Sequence, residues 1–366
     1  MSSSVLAYLK KIDWILAGAA GFLALFGIVE LVGMAHNNPE MALREYKQIL
    51  ALALGIAGMM VLSLFDYRFF RNNTWAVVLL YLGSLALLGL LLLVGEQTRG
   101  LVGWFRVGEF AFAPVEATKI VMALLFAKYF SVRHIELYRF FHLAVSLAYV
   151  ALPSALVLLQ PDLGSALIIF ALWLSLMLFA GISTRQLAAL LGSGAAVLWL
   201  SWAYALKEYQ KERIFSFLNP YGDPQGSGYN AIQSMIAVGD GGWFGKGLGY
   251  GSQVQLGFLP EAHTDFMFAS VAEEFGFVGV VIIFLLAGIV LWRIASIALS
   301  AENNFARLFC VGMMLLVSIH MIVNMGMNIG LMPVIGITFP FLSYGGSSLV
   351  SLFLGLGLVQ SIKVRS

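Results

Sequence analysis

Apolar residues run through this chain in blocks too long for the core of a soluble domain, and short polar clusters cut them apart. A helix needs about 20 mostly apolar residues to cross a bilayer. Ten blocks meet that rule: 13–33, 47–65, 75–95, 115–131, 141–159, 163–181, 186–206, 268–292, 306–329 and 341–362. Only Gln160-Pro161-Asp162 separates the fifth from the sixth, which predicts a tight helical hairpin. Gly55, Gly58, Gly192 and Gly194 lie inside spans and suit close packing, because small residues let backbones approach in lipid. The expected fold is an all-α polytopic membrane protein with about ten transmembrane helices, one integral domain over residues 1–366. The long extracytoplasmic segment 207–267 falls between the seventh and eighth helices.

Composition agrees with that pattern. Hydrophobic residues make up 60% of the chain and charged residues 11%, with mean hydropathy +0.90. Soluble domains carry about 25% charged residues. The net charge of +2 is too small to attract nucleic acid. Its distribution says more. Alternate connections carry Lys10, Lys11, Arg68, Arg71, Arg133, Arg139, Arg293 and Lys363, and the opposite set carries most of the carboxylates. The basic side is expected to be cytoplasmic, with both termini inside. Connections 96–114, 207–267 and 330–342, the ones with unusual content, then share the outer face.

Several chemistries are excluded. The single Cys310 allows no intrachain disulfide. The five histidines show no metal-ligand spacing, so no zinc site is expected. Lys246-Gly247 breaks the phosphate-loop pattern, and G-x-G-x-x-G fits nowhere, so no nucleotide is expected. The glycine run from Gly239 to Gly251 still suggests a cradle. The first apolar block has no small-residue cleavage site after it and reads as a retained helix.

The candidate chemistry gathers in two stretches. The first is Gly257-Phe-Leu-Pro-Glu261-Ala-His263-Thr264-Asp265-Phe266, with Glu273 and Glu274 beyond it. Asp265 stands at the entrance of the eighth span. As a structural feature it is a cap or first-turn carboxylate, favoured by the helix N-terminus. As a functional one it is a general base held where water thins into lipid, since ionisable groups there usually have a task. His263 is either an interfacial loop residue or the group that orients Asp265 or donates to a substrate oxygen. Glu261 is expected to face solvent, and at least one of Glu273 and Glu274 to face the bundle interior as a paired structural group.

The second stretch is Trp104-Phe-Arg106 followed by Pro114-Val-Glu116-Ala-Thr-Lys119. Pro114 suits a first helical position. Glu116 and Lys119, three apart, share one helix face and can pair. The pair reads as a structural ion pair or, with Arg106, as a cationic pocket for a phosphate-bearing headgroup. Trp104 is an interfacial belt residue or a stacking platform for a sugar. Glu30, Asp162 and Arg213 read as structural, and Ser343 to Ser348 as packing with a substrate-facing edge.

These residues resemble the SEDS family (shape, elongation, division, sporulation), nearest its elongation, RodA-type branch. The matching blocks are Trp104-Phe-Arg106, Pro114 to Lys119, Gln160 to Ala166, Phe217 to Tyr229, Gln233-Ser234, Phe258 to Phe266, Glu273 to Gly276 and Phe339 to Ser348. They occur in family order from the fourth span's entrance to the last span. The resemblance implies a peptidoglycan glycosyltransferase of the bacterial cytoplasmic membrane that polymerises lipid II for cell elongation and rod shape. It also implies a class B penicillin-binding protein as partner, whose transpeptidase crosslinks the strand. The family's essential aspartate falls on Asp265, its Glu/Lys pair on Glu116 and Lys119, and its loop Trp and Arg on Trp104 and Arg106. Glu261, His263 and Thr264 join these as substrate-binding candidates. A divalent cation (Mg or Mn) at Asp265 is left open.

Where the family commonly has Gln-Pro-Ser-Glu, this chain has Ala113-Pro-Val-Glu116, so one polar contact is lost. The Pro260 to Asp265 wording also occurs in the FtsW-type division branch. Two other readings remain: a lipid II flippase, whose charges would trace a path between both faces, and a scaffold, for which Asp265 would be dispensable.

Overall fold

The computed structural model describes residues 8, 10–35, 39–98, 101–108, 110–133, 136, 139–205, 211, 215–226 and 228–366. Arg213 lies outside them. Helices cover all ten predicted blocks: α1 (Trp14–Ala35), α2 (Pro39–Leu64), α3 (Thr74–Val94), α4 (Pro114–Arg133), α5 (Phe140–Leu159), α6 (Leu163–Ala180) and α7 (Thr184–Leu200). After the loop helix α8 (Tyr229–Asp240) come α9 (Met267–Ser300), α10 (Asn304–Asn328) and α11 (Gly346–Arg365).

Eight of these helices are long and apolar enough to cross a membrane. The other two predicted spans fall short for physical reasons. Helix α4 carries Glu116, Lys119, Lys128 and Arg133 within 20 residues. Helix α7 is 17 residues long and passes into a five-residue π-turn, Ser201–Ala205.

Local signals account for several boundaries. Asp162 caps α6 by accepting the Ser165 N–H at 2.9 Å, and left-handed Gly181 ends that helix. Asn303 caps α10 through the Ala306 N–H at 3.0 Å. Two of the four glycines singled out for packing serve it. A Cβ at Gly55 would lie 3.0 Å from Phe353, and one at Gly58 2.7 Å from Leu354, where α2 crosses α11. Gly192 and Gly194 have nothing within 4 Å.

The segment before α4 is not a plain loop. It forms a three-stranded antiparallel meander, β1 (Glu96–Thr98), β2 (Leu101–Val107) and β3 (Phe110–Phe112). Aromatic and β-branched residues favour that pleated form, and Gly108 starts the β2–β3 turn at φ 60°.

The glycine run, expected as a cradle, holds α9 itself. Helix α9 breaks at Gly276, whose φ of 65° and ψ of −161° are not helical. The break frees backbone groups, and the glycine-rich segment satisfies them. Lys246 and Gly247 donate to the Glu273 and Glu274 carbonyls at 2.9 Å each. Phe277 and Val278 donate to the Gly242 and Trp243 carbonyls at 2.9 and 3.1 Å. A Cβ at Gly241 would fall 1.8 Å from the Ala272 carbonyl oxygen, so only glycine permits the approach. Irregular backbone is tolerated in a bundle where protein supplies its partners.

Candidate active site

The 330–345 connection packs against the entrance of α9. Asp265 precedes that helix by two residues and is half-buried. The cap residue is Phe266, with no side-chain cap hydrogen bond, so Asp265 does not serve as the N-cap. It is fixed through its main chain. The Asn324 and Asn328 amides both donate to the Asp265 carbonyl, at 2.9 and 3.0 Å. Asn324 also donates to the Ile337 carbonyl at 2.6 Å, tying the 330–345 connection to the same point. A Cβ at Gly336 would lie 3.5 Å from Asp265 Oδ2, so the carboxylate borders that connection.

These two asparagines extend a row. His320, Asn324 and Asn328 sit four residues apart on α10, so they stack along one face. At the top, the Asn328 side-chain oxygen accepts from the Ala269 N–H at 3.1 Å, and its carbonyl accepts from Ser234 on α8 at 2.9 Å. At the bottom, His320 Nδ1 bonds the Leu316 carbonyl at 2.8 Å, leaving Nε2 as acceptor for the Lys119 ammonium at 3.1 Å. Lys119 also bonds Glu116 Oε1 at 2.8 Å, so the pair expected from their spacing forms. Lys119 is 2% exposed, whereas Glu116 is half-buried. The row thus links the Glu116–Lys119 pair to the backbone of Asp265 through one helix face. Sequence reading missed it, although three polar residues at a spacing of four in an apolar span are a legible signal.

His263, 6% exposed, lies against α2. Arg44 Nη1 is 2.5 Å from its Nε2, and the His263 carbonyl accepts from the Tyr344 N–H at 2.9 Å. Glu261 does not point into solvent. Its positive φ of 54° folds it back, so its carboxylate accepts the Thr264 hydroxyl at 3.2 Å and lies 3.8 Å from His263 Nε2. Arg44, Glu261 and His263 border a cavity of about 320 Å3 with Met34, Met41 and Leu259. Arg44 is a second residue missed from sequence, since it lies far from the motif in a connection that looked unremarkable.

The start of α11 joins the two stretches. Gln48 donates to the Ser343 carbonyl at 3.1 Å and accepts from the Gly345 N–H at 3.2 Å. Ser347 accepts from the Ala113 N–H at 3.0 Å and donates to the Ala111 carbonyl at 3.1 Å. Trp104 packs against the core, while Arg106, two residues along β2, is exposed. Arg106 and Lys119 therefore differ sharply in access.

Glu273 and Glu274 both turn inward. Glu273 Oε1 accepts from the Gln253 N–H at 2.9 Å, and Glu274 Oε2 from the Gly249 N–H at 2.8 Å. Fully buried Glu30 lies within electrostatic reach of both. Among the described residues, no group of three or more His, Cys, Asp or Glu is arranged to hold a metal ion.

A helical membrane protein with a carboxylate site at one end of its bundle is the class these features define. The FtsW/RodA/SpoVE family of cell cycle proteins matches residues 9–366, and the chain belongs to that family. It is 35% identical over 340 residues to the peptidoglycan glycosyltransferase MrdB of Escherichia coli, covering 93% of this chain and 90% of that one. It is 37% identical to stage V sporulation protein E of Bacillus subtilis, covering 86% of each. Among solved structures, a chain of a peptidoglycan synthase complex that coordinates polymerization and crosslinking superposes with TM-score 0.80 at 34% identity, covering 96% of this chain and 97% of that one. The rod shape determining protein RodA of Thermus thermophilus superposes with TM-score 0.71 at 31% identity, covering 96% of each.

Proposed function

We propose that this protein is a peptidoglycan glycosyltransferase that polymerises lipid II at the outer face of the bacterial cytoplasmic membrane, with both termini in the cytoplasm. Its working partner is a class B penicillin-binding protein. The observation that carries the reading is the setting of Asp265. The Asn324 and Asn328 amides hold its main-chain carbonyl, and its half-buried carboxylate borders Gly336.

In the reaction, the sugar 4-hydroxyl of one lipid-linked disaccharide attacks the anomeric carbon of another. The Asp265 carboxylate accepts the hydroxyl proton, the new glycosidic bond forms with inversion, and the bond to the lipid pyrophosphate breaks. A positioned base contributes typically 10²–10⁴-fold. The departing pyrophosphate needs donors where its charge grows. Arg106 is exposed on β2 and Arg44 opens onto the cavity, so both can reach it. Buried Lys119 acts by holding Glu116 in place. His263, Thr264 and Glu261 form one hydrogen-bonded turn that shapes the acceptor side, and Trp104 braces the strand carrying Arg106. A divalent cation would add charge neutralisation at the pyrophosphate. With Asp265 as a single protein ligand, it would take the rest of its shell from substrate and water, as Mg²⁺ commonly does. The likeness to the rod shape determining protein RodA supports a role in elongation and rod shape.

The test is polymerisation of purified lipid II by the reconstituted protein with a transpeptidase-only partner, with moenomycin present to silence contaminating synthases. Wild type should make long strands, and folded Asp265→Ala and Asp265→Asn none. Strands from all three would remove Asp265 as the base. No strands from folded, partnered wild type would favour lipid translocation.

A further inference from the structure

At the opposite, basic end of the bundle, three elements converge: the short helix Arg68–Asn72, the last turns of α4 and the head of α10. They border an open, shallow cavity of about 300 Å3. We propose that this cavity binds the phosphodiester headgroup of an anionic phospholipid through Arg71, Lys128 and the first amides of α10.

Charge is the first argument. Four basic side chains at this end have carboxylate partners. Arg293 meets Asp13 at 2.5 Å, Arg133 meets Glu136 at 3.1 Å, Arg68 meets Glu302 at 3.2 Å, and Arg365 meets Asp66 at 3.6 Å. Arg71 and Lys128 differ. Among the described residues neither forms an ion pair, and no carboxylate lines the cavity. Arg71 donates from Nε to Asn72 Oδ1 at 3.2 Å, and the Lys128 ammonium donates to the Arg71 carbonyl oxygen. Both acceptors are neutral, and Lys128 is only 9% exposed. A cation buried against neutral oxygens is costly, and an anion set between the two would offset that cost.

The backbone makes the same preference. Asn303 caps the Ala306 N–H, which leaves the Asn304 and Phe305 amides ahead of the first intrahelical bonds of a 25-residue helix. Both residues line the cavity. Such amides and the helix dipole favour anionic oxygen. The volume is ample for a phosphate, given that one water takes about 30 Å3.

The rim favours a lipid over a soluble ion. Val132, in the lining, is 60% exposed, and Phe69, two residues before Arg71, is 46% exposed, giving acyl chains an apolar surface next to the charged one. Basic pockets between helices at a membrane face are suited to anionic headgroups.

The test is lipid retention by the purified full chain, read by native mass spectrometry after exchange into phosphatidylglycerol or phosphatidylcholine. Arg71→Gln is the cleanest variant, because the carbonyl that receives Lys128 belongs to the main chain. Each basic residue near the surface is worth about 1 kcal/mol toward anionic lipid, or roughly fivefold. Retention of phosphatidylglycerol should therefore fall about fivefold in Arg71→Gln and further with Lys128→Gln added. Phosphatidylcholine retention and an Arg133→Gln control should not change. Equal losses in the control would mean diffuse surface attraction and overturn the proposal, as would unchanged retention in folded Arg71→Gln. Displacement of the lipid by inorganic phosphate at millimolar concentration would overturn the lipid as its source.

Discussion

The two ends of this bundle hold their connections with different polar groups. At the basic end, charge meets charge across distant parts of the chain: Asp13 with Arg293, Arg68 with Glu302, and Arg365 with the Asp66 turn. At the other end, beside the Glu116–Lys119 pair, amides and hydroxyls meet main-chain carbonyls. Asn324, Asn328 and Gln48 each hold a backbone oxygen of a non-helical segment. Each ion pair ties a helical arginine to a carboxylate in a connection. Neutral amides shape the irregular chain around Asp265 without adding a charge that would compete with it. One end is stapled and the other is sculpted.

The largest effect that would break this contrast is at Asp265. Asp265→Asn should abolish strand synthesis, a loss of about 10²–10⁴ if the carboxylate is the base. Thermal unfolding should barely move, because the bonds to the main-chain carbonyl remain. A large loss of stability would mean that the carboxylate, not the backbone, carries the structure.

Next comes Asn324→Leu. It leaves the Ile337 carbonyl without its amide and loosens the connection facing Asp265. Displacements near 1 Å can cost about 100-fold in rate, so activity per folded molecule should fall on that order. Stability should fall about 1–3 kcal/mol for the unpaired buried group. Unchanged turnover in the folded variant would show that this row of side chains is structural alone.

The Glu116–Lys119 pair gives a third test. Removing one partner leaves a buried charge uncompensated, at a cost of about 3–5 kcal/mol. Glu116→Gln and Lys119→Met should each destabilise more than the double variant, as measured by thermal denaturation of the solubilised protein. A double variant worse than both singles would argue that each residue acts through separate contacts.

The smallest expected effect on activity is at the stapled end. Asp13→Asn breaks its pair with Arg293 and should lower thermal stability, while strand synthesis per folded molecule stays within about twofold, the usual scale for a distant, independent site. A tenfold drop would show that the ends are coupled.

Much of this protein was legible in the residues. Apolar block length identified the helices, because a bilayer leaves unpaired backbone no alternative partner. The Glu116–Lys119 pair followed from spacing, and the family from motif blocks spread along the chain. The sequence could also have revealed the 320, 324, 328 row, had polar spacing been read inside an apolar span. Other features were decided only by tertiary structure. Arg44 reaches His263 across 219 positions, and no local pattern encodes that distance. The glycine run closes on the break in α9 because two segments exchange backbone bonds, a partnership invisible to either alone. Glu261 turns inward through a positive φ that its neighbours impose. Hydrophobic period and helical spacing are local properties, so the sequence carries them openly. The partner of a buried polar group depends on which distant surface folding brings against it.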